Sequence, residues 1–116
     1  MKVIATGGAG YIGSHVCKHL IREGIEPIVF DSLFRGDRRQ VQWGSFVEGD
    51  IGDRHALSRT LRDSAAVAVL HFAARAYVGE SVDSPAEYYR TNVVGTLNVL
   101  DAMRESGVKH IVFSSS

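Results

Sequence analysis

Cysteine is almost missing from this chain of 116 residues, which holds only Cys17. One thiol cannot form an internal disulfide, which excludes a stapled secreted scaffold and fits a reducing cytoplasm. Net charge is missing too, because thirteen basic residues cancel thirteen acidic ones. That removes the electrostatic case for nucleic acid or an anionic membrane as partner. No apolar run approaches the ~18–20 residues of a membrane span. Glycines interrupt the only apolar stretch near the N-terminus, so the start does not read as a signal peptide. No repeat, low-complexity tract or linker divides the chain. The remaining composition, 45% hydrophobic and 22% charged, is that of one globular domain able to bury a core.

Glycine is plentiful and its placement is informative. Lys2 to Thr6 is a β-branched, apolar run of the kind that makes a buried strand. Gly8, Gly10 and Gly13 follow in G-x-G-x-x-G spacing, and Gly7, Gly10 and Gly13 in G-x-x-G-x-x-G spacing. An amphipathic helical pattern begins at once. A strand that stops at glycines and restarts as a helix aims bare backbone N–H groups and a positive helix end at one spot, which suits a pyrophosphate. An acidic residue, Asp31, ends the next strand 18 positions after Gly13. That is close to the roughly 20 expected for a carboxylate that bonds a ribose.

Strands and helices then alternate. Ile12, Val16, Cys17, Leu20 and Ile21 mark the inner face of the first helix, with Gly24 as its stop. Cys17 is expected on that buried face as a small hydrophobe. Ile28 to Phe30 reads as a second strand with Pro27 at its first position, and residues 32–43 as a polar loop or short helix. Ser45 to Val47 is a third strand, and Asp53 caps a helix with Leu57 and Leu61 inside. Ala66 to Leu70 is a fully apolar fourth strand. Ser84-Pro85-Ala86-Glu87 has the form of a capping box that starts a helix running to about Ser106, with Gly107 ending it. Tyr89, Val93, Leu97 and Leu100 keep helical spacing along one side of it; Val94, Val99 and Met103 lie on another. Val108 to Phe113 is a fifth strand.

This alternation predicts an α/β fold, a doubly wound parallel sheet of Rossmann type in strand order 3-2-1-4-5. Ligands of such sheets bind beyond the carboxyl ends of the strands, near the switch between the first and fourth. The chemistry-bearing residues follow strand ends: Gly7 to Gly13, Asp31, Asp50-Ile51, Phe72-Ala73-Ala74, and Ser114 to Ser116. His15 and His19 have a metal-compatible spacing on a helix, but no third ligand accompanies them, so no metal is assigned.

Thr6-Gly7-Gly8-Ala9-Gly10-Tyr11-Ile12-Gly13-Ser14-His15 resembles the opening of the extended short-chain dehydrogenase/reductase family. Gly49-Asp50-Ile51, His71-Phe72-Ala73-Ala74, Asn92-Val93-Val94-Gly95-Thr96 and Phe113 to Ser116 match that family's later blocks in order. Val78 to Val82, Pro85 and Tyr88-Tyr89 narrow the resemblance to the UDP-glucose 4-epimerase branch. The resemblance implies NAD as cofactor and a UDP-sugar as substrate of the complete enzyme. Gly7, Gly10, Tyr11, Ile12 and Gly13 would hold the pyrophosphate. Asp31 would bond the adenosine ribose, with Ser32, Leu33, Phe34, Arg35 and Gly36 lining that end. Asp50 and Ile51 would address the adenine, and Phe72, Ala73 and Ala74 would pass behind the cofactor. Asn92 would stabilise the site, Ser114 would lie beside the cofactor, and Ser116 matches the active-site serine that bonds the sugar's 4-hydroxyl. In the family mechanism a tyrosine takes the C4 hydroxyl proton while C4 gives a hydride to NAD.

Three departures from the family pattern stand out. No Tyr-x-x-x-Lys pair occurs, since His15, Ser81, Asn92 and Val93 sit four after the tyrosines. The family's C-terminal substrate domain is expected to be missing from this chain. A lysine found in some relatives corresponds to Ala76, beside Arg75. The chain therefore reads as the N-terminal portion of an epimerase, inactive by itself. Arg35, Arg38 and Arg39 could grip a 2′-phosphate and favour NADP, whereas Asp31 repels one and favours NAD. Two other functions are open: a 4,6-dehydratase or another nucleotide-sugar enzyme, and a non-catalytic dinucleotide sensor. Apolar residues on two sides of the long helix, with the family's helical dimer, lead us to expect a homo-oligomer, a dimer by resemblance.

Overall fold

The computed structural model describes residues 1–73 and 82–114. Five strands, β1 (Lys2–Thr6), β2 (Glu26–Asp31), β3 (Ser45–Glu48), β4 (Ala68–His71) and β5 (His110–Phe113), form one sheet in order β3-β2-β1-β4-β5. Every pairing is parallel, as the alternation predicts. The register sets Thr6 beside both Phe30 and His71, and His71 beside Phe113, so the strand exits share one edge of the sheet.

Helices α1 (Tyr11–Arg22), α2 (Arg54–Ser64), α3 (Pro85–Tyr89) and α4 (Gly95–Ser106) connect the strands, with a short 3-10 turn at Arg38–Gln40. Side chains alternate across the sheet, and both faces are covered. Ile4, Ile28, Phe30 and Val69 meet Leu57 and Leu61 of α2 and Val99, Ala102 and Met103 of α4. Ala5 and Val29 face the other way, against Ala9 and Cys17. Burying a Leu or Val of this kind contributes about 1.5–3 kcal/mol, so the α2–α4 side carries most of the packing. Among the described residues no helix is long and apolar enough to cross a membrane.

Several expectations need correction. In α1 the buried residues are Gly13, Ser14 and Cys17, while Ile12 and Ile21 are exposed. The stripe is turned because the helix lies so near the sheet that only small side chains fit beneath it. β2 begins earlier than expected, so Pro27 is its second residue and fully buried. β4 lies two residues later at its start and takes in His71, leaving Val67 exposed. β5 starts at His110 rather than Val108.

The long helix is not uniform. Between α3 and α4 the backbone widens into a π turn, Arg90–Val94. A π turn carries one extra residue, which offsets the helical stripe on its two sides. The buried residues are accordingly Tyr88, Gly95, Val99, Ala102 and Met103, while Tyr89, Val93, Leu97 and Leu100 are exposed. A Cβ on Gly95 would lie 2.5 Å from Ile51 Cδ1, so glycine lets this helix close on the loop after β3. Ser84 and Pro85 do start the helix, yet the serine side chain makes no cap hydrogen bond, so its half of the capping box is not formed. Its carbonyl accepts the first helix bond, from Tyr88 N–H, and Glu87 pairs with Arg90. Asp53 caps α2 as expected, its Oδ1 accepting from Ala56 N–H at 3.1 Å.

Candidate dinucleotide site

The turn after β1 is built by its own backbone. Gly7 N–H donates to Phe30 O at 2.9 Å, Gly10 N–H to Gly7 O at 3.1 Å, and Ser14 N–H to Gly10 O at 2.9 Å. Gly7 has φ +72°, and a Cβ there would sit 2.6 Å from Ala73 N, so β1 and β4 can leave the sheet side by side only with glycine at this point. A Cβ on Gly13 would lie 2.6 Å from Gly7 O, and helix α1 could not start so close to the turn. Gly10 occupies the cap position without a side-chain cap, and the first turn holds no acidic residue. The N–H groups of Tyr11, Ile12 and Gly13 therefore begin a helix whose first turn offers no acidic side chain to its positive end.

Asp31 is fixed from both sides. Its Oδ2 accepts from Ala9 N–H at 2.9 Å and its Oδ1 from Leu33 N–H at 2.7 Å, with the residue 8% exposed. Each carboxylate oxygen retains a second lone pair for a hydroxyl donor. Asp37 N–H donates to Ala9 O at 3.1 Å, which pins the loop after β2 against the glycine turn. Gly36 packs tightly there, a Cβ on it falling 3.0 Å from Asp31 Oδ2.

These elements enclose an open cleft of about 180 Å³ at the carboxyl edge of the sheet. Of the residues selected from sequence, Gly7, Gly10, Asp31, Ser32, Phe34, Arg35 and Gly36 line it. Asp50, Ile51, Phe72 and Ala73 line it as well. The others stand apart from its wall. Tyr11 is exposed and lies against the His15 ring at 4.6 Å. Ile12 is exposed and Gly13 buried under the turn. Leu33 packs towards the α1 side of the core while holding Asp31. Asn92 is in the π turn, its carbonyl accepting from Thr96 Oγ1–H at 2.8 Å. Ser114 is exposed, and its N–H donates to His71 O at 3.2 Å. Ala74, Arg75, Ala76, Val78 to Ser81 and Ser116 lie outside the described residues.

The arginines diverge. Arg38 stacks its guanidinium 4.6 Å from the Phe46 ring, and Arg39 pairs with Asp37 at 2.7 Å. That pairing lowers the Asp37 carboxyl from its usual range and raises Arg39. Arg35 alone of the three lines the cleft. Asp50 makes a local turn, its Oδ1 accepting from Gly52 N–H at 2.7 Å. The loop it belongs to is held by Asn98, whose Nδ2 donates to Ile51 O at 3.1 Å. Cys17 takes no part, and burial pushes its thiol pKa up to about 11.

Thr91, Phe30 and Gly49 line the cleft without having been selected from sequence, and beneath it lies a polar group equally unforeseen. His71 is 2% exposed, with Nδ1 at 2.6 Å from Thr6 Oγ1 and Nε2 at 3.2 Å from Thr96 Oγ1. Burial lowers its pKa from the ordinary 6.5. The available signal was a histidine directly after an apolar strand, where a buried polar group requires partners.

Residues 3–116 match the model of the NAD dependent epimerase/dehydratase family. A UDP-glucose 4-epimerase of Rhizobium leguminosarum bv. trifolii is 48% identical over 98% of this chain and 35% of its own length. The crystal structure of UDP-glucose 4-epimerase from Brucella ovis in complex with NAD is similar at 53% identity and a TM-score of 0.96, over 98% of this chain and 35% of that one. UDP-glucose-4-epimerase from Stenotrophomonas maltophila, with bound NAD and formylated UDP-arabinopyranose, superposes with a TM-score of 0.97 at 42% identity, over 100% of this chain and 37% of that one. The chain thus spans about a third of the length of these relatives. A parallel sheet in order 3-2-1-4-5, a glycine turn under a helix start and this family match agree: the chain belongs to the NAD dependent epimerase/dehydratase family.

Proposed function

We propose that the chain binds NAD in the cleft at the carboxyl edge of the sheet and supplies the cofactor-binding portion of a UDP-glucose 4-epimerase. The observation that carries this reading is Asp31, a nearly buried carboxylate with both oxygens held by backbone N–H groups beside an uncapped helix start. A carboxylate so placed accepts from the two hydroxyls of an unmodified ribose and repels a 2′-phosphate, which favours NAD over NADP. The glycine turn fits a pyrophosphate, since a Cβ on Gly7 or Gly13 would collide with backbone. Phe34 to Gly36, assigned to the ribose end, and Asp50 and Ile51, assigned to the adenine, line the same cleft, which supports the reading.

NAD, when bound, supplies the hydride acceptor that makes C4 of a UDP-sugar a ketone and then returns the hydride. The chain's own part is to hold the cofactor, present one face of it and keep backbone from filling its place. Relatives bearing the epimerase name, and the UDP-sugar in the Stenotrophomonas structure, support UDP-glucose and UDP-galactose as the substrates of the complete enzyme. With no Tyr-x-x-x-Lys pair in its sequence, the chain by itself is expected not to interconvert them. Its single buried thiol fits a reducing cytoplasm. Exposed Tyr89, Val93, Leu97 and Leu100 support self-association, which sedimentation would register as a mass above the monomer's.

Calorimetric titration with NAD and NADP tests the reading. NAD is expected to bind more tightly, and Asp31→Ala to lose about ten- to hundredfold of NAD affinity while narrowing the gap to NADP. Tighter NADP binding by the unchanged chain would overturn it.

A further inference from the structure

His71 lies under the cleft, and its hydrogen bonds have a direction that the neighbouring atoms determine. Thr96 has one hydroxyl hydrogen, and it goes to Asn92 O at 2.8 Å, the ordinary i−4 partner of a helical threonine. Thr96 Oγ1 therefore faces His71 Nε2, 3.2 Å away, as an acceptor, and Nε2 carries the hydrogen. Nδ1 is then the acceptor and takes the Thr6 hydroxyl hydrogen at 2.6 Å. Thr6 Oγ1 in turn accepts from Ala73 N–H at 3.4 Å. This orientation gives every one of these hydrogens an acceptor. The opposite tautomer would turn Thr6 Oγ1 into an acceptor for Nδ1–H as well as for Ala73 N–H, and its own hydrogen would have no acceptor among these groups.

The three anchored segments are walls of the cleft. Thr6 immediately precedes Gly7, His71 immediately precedes Phe72 and Ala73, and Asn92 immediately follows Thr91. The Phe113 ring, 5.5 Å from the imidazole, closes the side towards β5. Such a chain of bonds is worth most where water cannot replace it, and Thr6 and His71 are buried at 0% and 2% exposure.

We propose that His71 is a positioning residue for the cofactor cleft, an Nε2–H imidazole that ties the exit of β1, the exit of β4 and the π turn into one frame. It touches neither cofactor nor substrate in this role; it fixes the spacing of the walls that do. The inference rests on the reading of the cleft as an NAD site, and its test separates the two.

The full chain, labelled with 15N at histidine, reports the tautomer directly from the ring nitrogen shifts without any ligand. Fluorescence titration with NADH then compares the unchanged chain with Thr96→Val, Thr96→Ser and His71→Asn. The expected result is an Nε2–H His71, NADH binding weakened about three- to tenfold by Thr96→Val, and near-full binding in Thr96→Ser. Thr96→Val preserves shape, so it remains informative even where His71→Asn fails to fold. An Nδ1–H tautomer, or Thr96→Val binding NADH as tightly as the unchanged chain, would overturn the proposal. Should the unchanged chain bind no NADH, the cofactor reading fails and takes the positioning role with it, while the ring shifts still decide whether the hydrogen-bonded frame exists.

Discussion

The two halves of the cleft are held by different physics. On the β1–β2 side, a carboxylate and a glycine turn do the work through bonds to backbone: Asp31 with Ala9 and Leu33, and Gly7 with Phe30. On the β4–α4 side, uncharged side chains far apart in sequence meet, His71 with Thr6 and Thr96, and Asn98 Nδ2 donates to the Ile51 carbonyl. The first arrangement puts a carboxylate and the glycine turn on the wall of the cleft. The second uses up its polar groups internally and leaves backbone and small side chains as a wall. The proposed NAD site would use both, the first for an anion and a ribose and the second as a wall for a flat cofactor.

The largest effect is expected where the halves touch. Gly7→Val forces a β-branched residue to φ +72° with its Cβ 2.6 Å from Ala73 N. Strain and overlap together are expected to cost about 3–5 kcal/mol, or to prevent folding, as read by urea denaturation. A variant as stable as the parent would mean that the two strand exits are not packed as described.

A pH series is expected to separate the halves more gently. Burial lowers the pKa of His71, so the unfolded chain binds its proton more readily than the folded chain does. The stability this contributes is fully present above the ordinary pKa of 6.5 and is lost as pH falls from there through the lowered folded value. The slope from this one group reaches at most about 1.4 kcal/mol per pH unit. His71→Gln should flatten the fall between pH 7 and pH 5 by that contribution, and Asp31→Ala should leave the histidine step in place. An unchanged slope in the His71 variant would remove the buried imidazole from the account.

Asn98→Ala is the mildest probe. It deletes the donor to Ile51 O and Gly52 O, at 3.1 and 3.4 Å, from a partly exposed position. The expected cost is about 0.5–1.5 kcal/mol, with a matching small loss of affinity confined to the end proposed for adenine. Calorimetry with adenosine and with nicotinamide mononucleotide would resolve it, the first weakening and the second not.

Legibility in the sequence divides along the same line. The glycine spacing, Asp31 after an apolar strand and Asp53 before a helical pattern are legible from spacing alone: the glycines turn the chain from β1 into α1, Asp31 ends β2 and accepts from Ala9 N–H, and Asp53 caps α2. Ser84 is the exception, because the helix starts there without the side-chain cap hydrogen bond its position implies. The inner face of α1 differs from the expected stripe, and the long helix offers two apolar sides in sequence, for one reason. Their apolar residues are too many to mark a single stripe, and the side that is buried depends on what lies opposite. Ile12 and Leu97 are as apolar as Cys17 and Val99, yet only the second pair meets the sheet or α2.

By itself, then, the sequence determined the order of strands and helices, the parallel sheet and the residues of the glycine turn with its acidic partner. Those follow from periodicity and from the fixed spacing of glycines and carboxylate that a strand–turn–helix–strand unit requires. Only the tertiary structure decided that α1 rests on small residues, that a π turn offsets the long helix, and that Thr6, His71 and Thr96 share one set of hydrogen bonds. Partners 65 and 25 residues apart leave no periodic trace, because they become neighbours only when β1, β4 and the long helix pack together.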